Sequence, residues 1–532
     1  MILKNFLPLP RAIAGIAGDL LIACLWAVPV GAAQYYVDFS SGADSAAGTS
    51  TSTAWKHSPG DANATGTAGS TKLAAGDVVN LKGGVSYNGG IAVSQNGTSG
   101  QPIVWQTAAN GWGSGNAIME GTVGTTTNSC AFHPEGEYHV ISGLTIQDYS
   151  SYAVEAYGGN ASYLVVSNCN LHHIGWFPYA INGDGGVGYG VYLRGLGNAI
   201  IVSNRMDDLN ETAVYAVYSA TNLIIWGNTL TNIQDHAIFS ACYGYTLIAC
   251  NAINWQTNSV THDDGMQIQG GGGTEPSKSV IVCGNTEWAN NQDLFFNPLA
   301  NGPFDAYVFN NVWINPYSDG TGQTGTPQVG FTMEIQSPGT LNNLYVFNNL
   351  GVLMNSGYGM TEMTYYVSAS VLNLFYYNNL NWNGLTSYNI NTAQIQHIYS
   401  GYNLYTNDWR STYIIPELGG TWQTLAQFQA SNPTLEINSL YGYVAFPNIL
   451  PGGVTNYTYK LTAGDSAIGK GTNLAAMLPS STFNFLPSPY MVDPTQDILG
   501  QQRSSAWDIG AYAYQSTPPA PPTDLTVAGA PE

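Results

Sequence analysis

Charge is scarce in this chain. Only 8% of its 532 residues are Asp, Glu, Lys or Arg, and 12 Lys and Arg face 33 Asp and Glu, a formal net charge of −21. Binding a phosphate backbone takes a basic stripe, so a nucleic-acid partner is excluded. The same sign disfavours a strongly polyanionic partner. Cysteine is also rare. Cys130, Cys169, Cys242, Cys250 and Cys283 follow the N-terminal region. Their number is odd and there is no CxxC, so small buried thiols are expected rather than a disulfide framework or a zinc site. After the N-terminal segment no apolar run is long enough to span a membrane. Core material is plentiful, with 44% hydrophobic and 12% aromatic residues, which excludes disorder.

Residues 1–33 read as a secretory signal. Lys4 and Arg11 flank the apolar stretch Ala12 to Val30, and Gly31-Ala32-Ala33 offers a small-residue cleavage site. Leu21-Ile22-Ala23-Cys24 has the look of a lipoprotein box, but the apolar stretch continues past Cys24. A secreted or cell-surface protein is expected. Residues 34–128 read as an N-terminal cap with first coils, where runs such as Val78-Val79-Asn80-Leu81 alternate with Gly-rich turns. Residues 441–515 read as a closing module, and 516–532 as a Pro-rich tail.

Residues 129–440 carry an internal repeat. LVVSNCNL (164–171), IIVSNRM (200–206), LIIWGNTL (223–230), LIACNAI (247–253), YVFNNVWI (307–314) and FYYNNLNW (375–382) each run an apolar strand into Asn. Asn204 to Asn228 is 24 residues and Asn228 to Asn251 is 23, while the longer step from Asn168 to Asn204 implies an inserted loop. Each interval holds a second alternating strand, among them AVEAY (153–157), GVYLR (190–194) and GMQIQ (265–269). Short strands at this period, joined by Asn/Gly turns, predict an all-β solenoid, a parallel β-helix with an N-terminal cap and a C-terminal closing module. Asn at a stacked turn can bond the Asn of the next coil, so that column reads as architecture.

The second strands align on inward residues Val154, Val191, Val214, Ile238, Met266 and Leu294. Glu155, Tyr192, Tyr215, Phe239, Gln267 and Phe295 then point outward, followed by Arg194, Gln269 and Asn297 two positions on. Such a strip suits a carbohydrate chain, since sugar rings stack on aromatic faces while hydroxyls bond amides and carboxylates. Stacking for stability alone is the alternative. Before these strands lie Glu211, Asp235-His236, His262-Asp263-Asp264 and Asp293. Carboxylates on adjacent coils would stand roughly 5 Å apart, the separation of a retaining glycosidase, and crowding would raise one pKa beside an ionised partner. These residue types also suit plain turns. His262 and His236 flank the acids as partners or orienting groups. His172-His173 precede an insertion over 175–189.

The entry segment, the coils and the ending SAIGKG…DILGQQR…DIGAY together resemble bacterial extracellular right-handed parallel β-helix proteins of the pectate-lyase-like superfamily. The resemblance implies export and a polysaccharide ligand. HDDGMQIQ resembles the paired-Asp segment of polygalacturonase-type hydrolases, with Asp263 and Asp264 at the matching positions. Gln234-Asp235-His236 stands where that family has Asn-Thr-Asp, and no Gly-His-Gly or Arg-Ile-Lys follows. The lyase branches commonly use Lys or Arg as base, which points to Arg194. The leading expectation is an exported enzyme cleaving glycosidic bonds by hydrolysis. Asp264 and Asp263 would be acid and base, with Asp235 and His262 in support. The alternatives are a lyase using Arg194 and Ca²⁺ held by the same acids, and a non-catalytic glycan-binding protein. No cofactor is certain, calcium stays open, and a monomer is expected.

Overall fold

The computed structural model describes residues 32–122, 129–157, 161–175, 187–195, 197–217, 221–241, 243–254, 264–269, 277–288, 292–298, 304–315, 333–335, 339–353, 370–382, 395–406, 415–416, 422–444 and 460–514. Residues 1–31 of the expected signal segment, Cys242 and the Pro-rich tail lie outside them. Among the described residues no helix is long and apolar enough to cross a membrane.

A complete coil contributes one strand to each of three parallel sheets. Gly197–Val202 lies in sheet 1, Arg205–Leu209 in sheet 2 and Val214–Val217 in sheet 3, and Thr221–Trp226 then returns to sheet 1. Among the described residues, sheets 1 and 2 have 13 strands each and sheet 3 has nine. In every sheet, successive coils are neighbours in register, so the molecule is a right-handed parallel β-helix. Alternation puts one residue in two inside the cylinder. In sheet 1, Ile201, Ile225, Ile248 and Val282 form one fully buried inner column. Burial of each such side chain stabilises the coil by about 2 kcal/mol.

The turn between sheets 1 and 2 is held by an asparagine ladder. Asn204, Asn228, Asn251, Asn285 and Asn311 each donate Nδ2 to the Oδ1 of the Asn one coil on, at 3.0–3.1 Å. The same Nδ2 groups also donate to strand carbonyls, those of Val166, Ile201, Ile225, Ile248 and Val282. Each Oδ1 further accepts the backbone N–H of the preceding Asn. A buried amide is therefore satisfied on both its donor and acceptor sides. Asn168 is not part of the ladder, contrary to the repeat alignment. Register places Cys169 opposite Asn204, whose Oδ1 accepts the Cys169 N–H at 2.9 Å. Asn168 sits one place earlier, in a left-handed column (φ 53) continued by Ser203, Gly227, Cys250 and Gly284. The thiols are unpaired in all four described cases, Cys169 and Cys283 buried as expected. Cys250 is exposed, because its left-handed position turns the side chain out of the stack.

The segment 460–514 runs back along the outside. Leu474, Leu478, Phe483 and Leu486 cover the outward residues Ile224, Leu247, Ile281 and Phe309 of sheet 1. Leu461, Ala467 and Ile509 pack on the outward Val312, Leu350 and Leu380 of sheet 2. Arg503, 5% exposed, fastens the segment: it donates to Asn310 Oδ1 at 2.9 Å and to the carbonyls of Asp508, Gly510 and Ala511. Sheet 3 takes no part in these clusters.

Candidate active site

The outer face of sheet 3 is built by register. Ala92, His133, Glu155, Tyr192, Tyr215, Phe239, Gln267 and Phe295 follow one another as a single column across eight coils. The alignment of Glu155 through Phe295 is the one expected from the sequence. Openness is not uniform along it. Glu155, Tyr192 and Tyr215 are half-buried, whereas Phe239, Gln267 and Phe295 are buried. Gln269 and Asn297, paired in the next outward column, are half-buried.

The rings are engaged with one another. Tyr192 stacks on Tyr215 (5.4 Å, 9°) and Tyr215 on Phe239 (4.6 Å, 21°). Parallel stacking uses up ring faces, so this part of the strip presents ring edges and phenol hydroxyls rather than platforms. Two further tyrosines, missed in the sequence, thicken the layer. Tyr189 lies 5.0 Å from Tyr215 and 5.7 Å from Tyr152. Alternation hid them, since Ala153-Val154 and Gly190-Val191 are both inward and break the period of two. At the near end, His133 Nδ1 lies 3.2 Å from Glu155 Oε2, and this contact raises the histidine pKa against the opposing effect of its burial.

Acids line the start of these strands. Tyr189 donates to Glu211 Oε1 at 3.4 Å, and Thr212 donates to Asp235 Oδ2 at 3.2 Å. His236 Nε2 is 3.7 Å from Asp235 Oδ1, and its ring stacks on Phe239 at 5.7 Å. Burial, then the charges of Glu211 and its neighbours, push the Tyr189 hydroxyl far above its ordinary pKa, so it stays a neutral donor. Asp264 opens the strand Asp264–Gln269. Extending the pairing of Ile238 with Met266 back two residues puts Asp264 beside His236 on adjacent coils, about 4.8 Å apart along the backbone. Asp263 and His262 lie outside the described residues.

Arg194 falls elsewhere. It pairs with Val217 and Tyr157, three coils before Asp264 and at the far ends of the strands. Three coil steps and five residues along a strand separate its backbone from that of Asp264 by roughly 20 Å. Its guanidinium sits 5.3 Å from the centre of the Tyr157 ring, and Tyr157 is 52% exposed.

Glu287 and Asp293 carry their carboxyls inside the cylinder. Glu287 is 0% exposed at an inward position of sheet 2, between Ile253 and Trp313 of the neighbouring coils. Asp293, which the sequence places with the front acids, is 1% exposed. Register puts it opposite Gly265, in the small-residue column, because Gln292 rather than Asp293 pairs with Asp264. Burial drives its pKa well above the ordinary carboxylate value. Among the described residues no group of three or more His, Cys, Asp or Glu is arranged to hold a metal ion.

The edge where sheet 3 turns into sheet 1 carries another irregularity. Tyr138 and Tyr163, one coil apart, both adopt left-handed backbone (φ 57 and 60) and stack at 4.3 Å and 3°. The next two coils hold Asn198 and Asn222 at the same position with the same φ sign, joined by an amide hydrogen bond of 2.9 Å. Left-handed backbone costs a bulky residue about 1–2 kcal/mol, and Asn much less. One stacked pair returns only about 0.5–1.5 kcal/mol, so stability alone does not select two tyrosines here.

No protein-family model matches the chain, and no curated protein does. Solved structures resemble the chain at low identity. XylC in complex with xylose is 11% identical over 90% of this chain and 98% of its own, with a TM-score of 0.47. The GH136 lacto-N-biosidase from Eubacterium ramulus is 12% identical over 73% of this chain, with a TM-score of 0.45. This chain spans 66% of that enzyme's length. Pectate lyase Pel9A is 15% identical over 91% of this chain and 98% of its own, with a TM-score of 0.36.

Proposed function

We propose that the protein is an exported polysaccharide-active enzyme that cleaves a glycosidic bond on the outer face of sheet 3 by hydrolysis. The observation that carries this reading is the succession of Asp235-His236 on one coil and Asp264 on the next, beside a half-open face of tyrosine hydroxyls and Glu155. By register Asp264 stands opposite His236, so Asp235 and Asp264 form a diagonal pair, the wider separation that suits an inverting acid and base. Asp264 serves as acid and Asp263 as base, with Asp235 oriented by Thr212 and His236. His262 supports the pair. The sugar hydroxyls bond Tyr192, Tyr215 and Glu155, while Phe239, Gln267 and Phe295 form the more covered continuation of the strip, with half-buried Gln269 and Asn297 beside them. In the lyase alternative the Asp235 and Asp264 oxygens would instead hold calcium, a hard ion that needs oxygen ligands.

The test is a panel of neutral and uronic glycans incubated with the wild type, Asp264→Asn and Asp235→Asn, with and without chelator. New reducing ends that vanish in both variants support the hydrolase. An unsaturated, ultraviolet-absorbing product abolished by Arg194→Ala instead establishes elimination. Binding without turnover, unchanged in Asp264→Asn, leaves a glycan-binding protein.

A further inference from the structure

We propose that the Tyr138–Tyr163 pair is a pyranose-binding platform, a glycan subsite on the edge between sheets 3 and 1 and apart from the acids of the strip. Elsewhere on sheet 3 the aromatic faces are used up by stacking within the ladder. Here the stack ends. Tyr163 is 42% exposed, and the residue beneath it in the next coil is Asn198, too short to cover a phenol ring. The outer part of that ring face is therefore open, and an open, rigid aromatic face is what the apolar side of a sugar ring packs against. Asn198 gives its Oδ1 to Asn222, which leaves its own amide protons for a ligand hydroxyl. The backbone beneath is fixed by bonds from Tyr138 N–H to Ser162 and from Tyr163 N–H to Gly197, at 2.9 and 2.8 Å. The following coils place Asn at this left-handed position, so the turn itself does not require the tyrosine rings.

The occupant is a neutral sugar residue of a polysaccharide. Glu137 directly precedes Tyr138, and Glu135 is exposed in the same turn, so a uronate would meet like charge. The chain's net charge of −21 acts in the same direction. Tyr157 and Arg194 end sheet 3 strands on this same edge, so the pair flanks the strip. The subsite does not require the strip to be catalytic.

The experiment is affinity electrophoresis of the full chain in gels containing a mixed-linkage β-glucan, a xylan, a galactomannan or polygalacturonate. Wild type is compared with Tyr163→Asn, Tyr138→Asn/Tyr163→Asn and Tyr163→Phe, with melting temperatures alongside. At least one neutral glycan is expected to retard the wild type. The double Asn variant should lose retardation at least tenfold while melting no lower than wild type, and Tyr163→Phe should keep it within twofold. Repeating this on the Asp264→Asn background separates binding from cleavage, since the double Asn change is expected to lose retardation there too, relative to Asp264→Asn alone. The proposal is overturned by a lowered melting temperature with retardation intact, by equal losses in Tyr163→Phe and Tyr163→Asn, by stronger retardation on polygalacturonate, or by no retardation on any neutral glycan.

Discussion

The carboxyl of Glu287 fills the place that a side chain on Gly265 would take. A Cβ at 265 would lie 1.3 Å from Glu287 Oε1 and 2.8 Å from the carbonyl oxygen of Asp293. The glycine that opens the strand after Asp264 is therefore a space for an internal acid. Gly265→Ala should destabilise the protein by about 2–3 kcal/mol, the cost of overpacking a closed core. Glu287→Ala should remove most of that penalty in the double variant, because the two positions are in contact. Urea unfolding of the four proteins measures both; strict additivity would contradict the contact.

Asp293 should give the fold an unusual pH dependence. Its folded pKa is raised by burial above the ordinary 3.8, so the folded state holds a proton that the unfolded chain releases. Stability from this group is complete below that ordinary value and falls as pH rises toward the raised one. Asp293→Asn should flatten the fall in melting temperature on the alkaline side of pH 4 and melt above wild type at neutral pH. Equal pH slopes in the two proteins would mean the carboxyl ionises freely.

Removing either front acid should be felt in turnover rather than in folding. Asp264→Asn and Asp235→Asn each keep the side-chain volume, and loss of a general acid or base costs about 10²–10⁴ in rate. The expected outcome is such a fall in kcat with the melting temperature within a few degrees of wild type.

Arg503 should decide whether the returning segment stays docked. Burial lowers its pKa to about 10, so it remains charged at neutral pH. Arg503→Met would strand the carbonyls of Asp508, Gly510 and Ala511 and the side chain of Asn310. Each buried acceptor left without its donor costs about 1–3 kcal/mol. Limited proteolysis should then cut within 460–514 before the coils, and a wild-type cleavage pattern would refute the role.

The coil period and the asparagine ladder were legible because stacking imposes one residue type on one position. Asn168 misled by a single place, since Cys169 takes the ladder position there and Asn is equally suited to the left-handed turn beside it. The outward column from Glu155 to Phe295 was legible from alternation, but its mutual stacking was not, because sequence gives the face and not the ring angle. Glu287 and Asp293 were not legible as interior groups. A carboxylate is ordinarily taken for surface, and only the register of Asp264 with Gln292 moves Asp293 inside. Tyr138 and Tyr163 carried no sequence signal, since a tyrosine in left-handed backbone looks like any other turn tyrosine.

Coils that touch only their neighbours unwind one at a time from a free end, as a spring does. The bond between Arg503 and Asn310 spans 193 positions, and the amide of Asn378 is bonded to Thr472 across 94. These ties skip over the intervening coils like the sewn spine of a book. No page near the C-terminal end can turn out alone, so fraying there is replaced by a single larger opening that must first lift the spine.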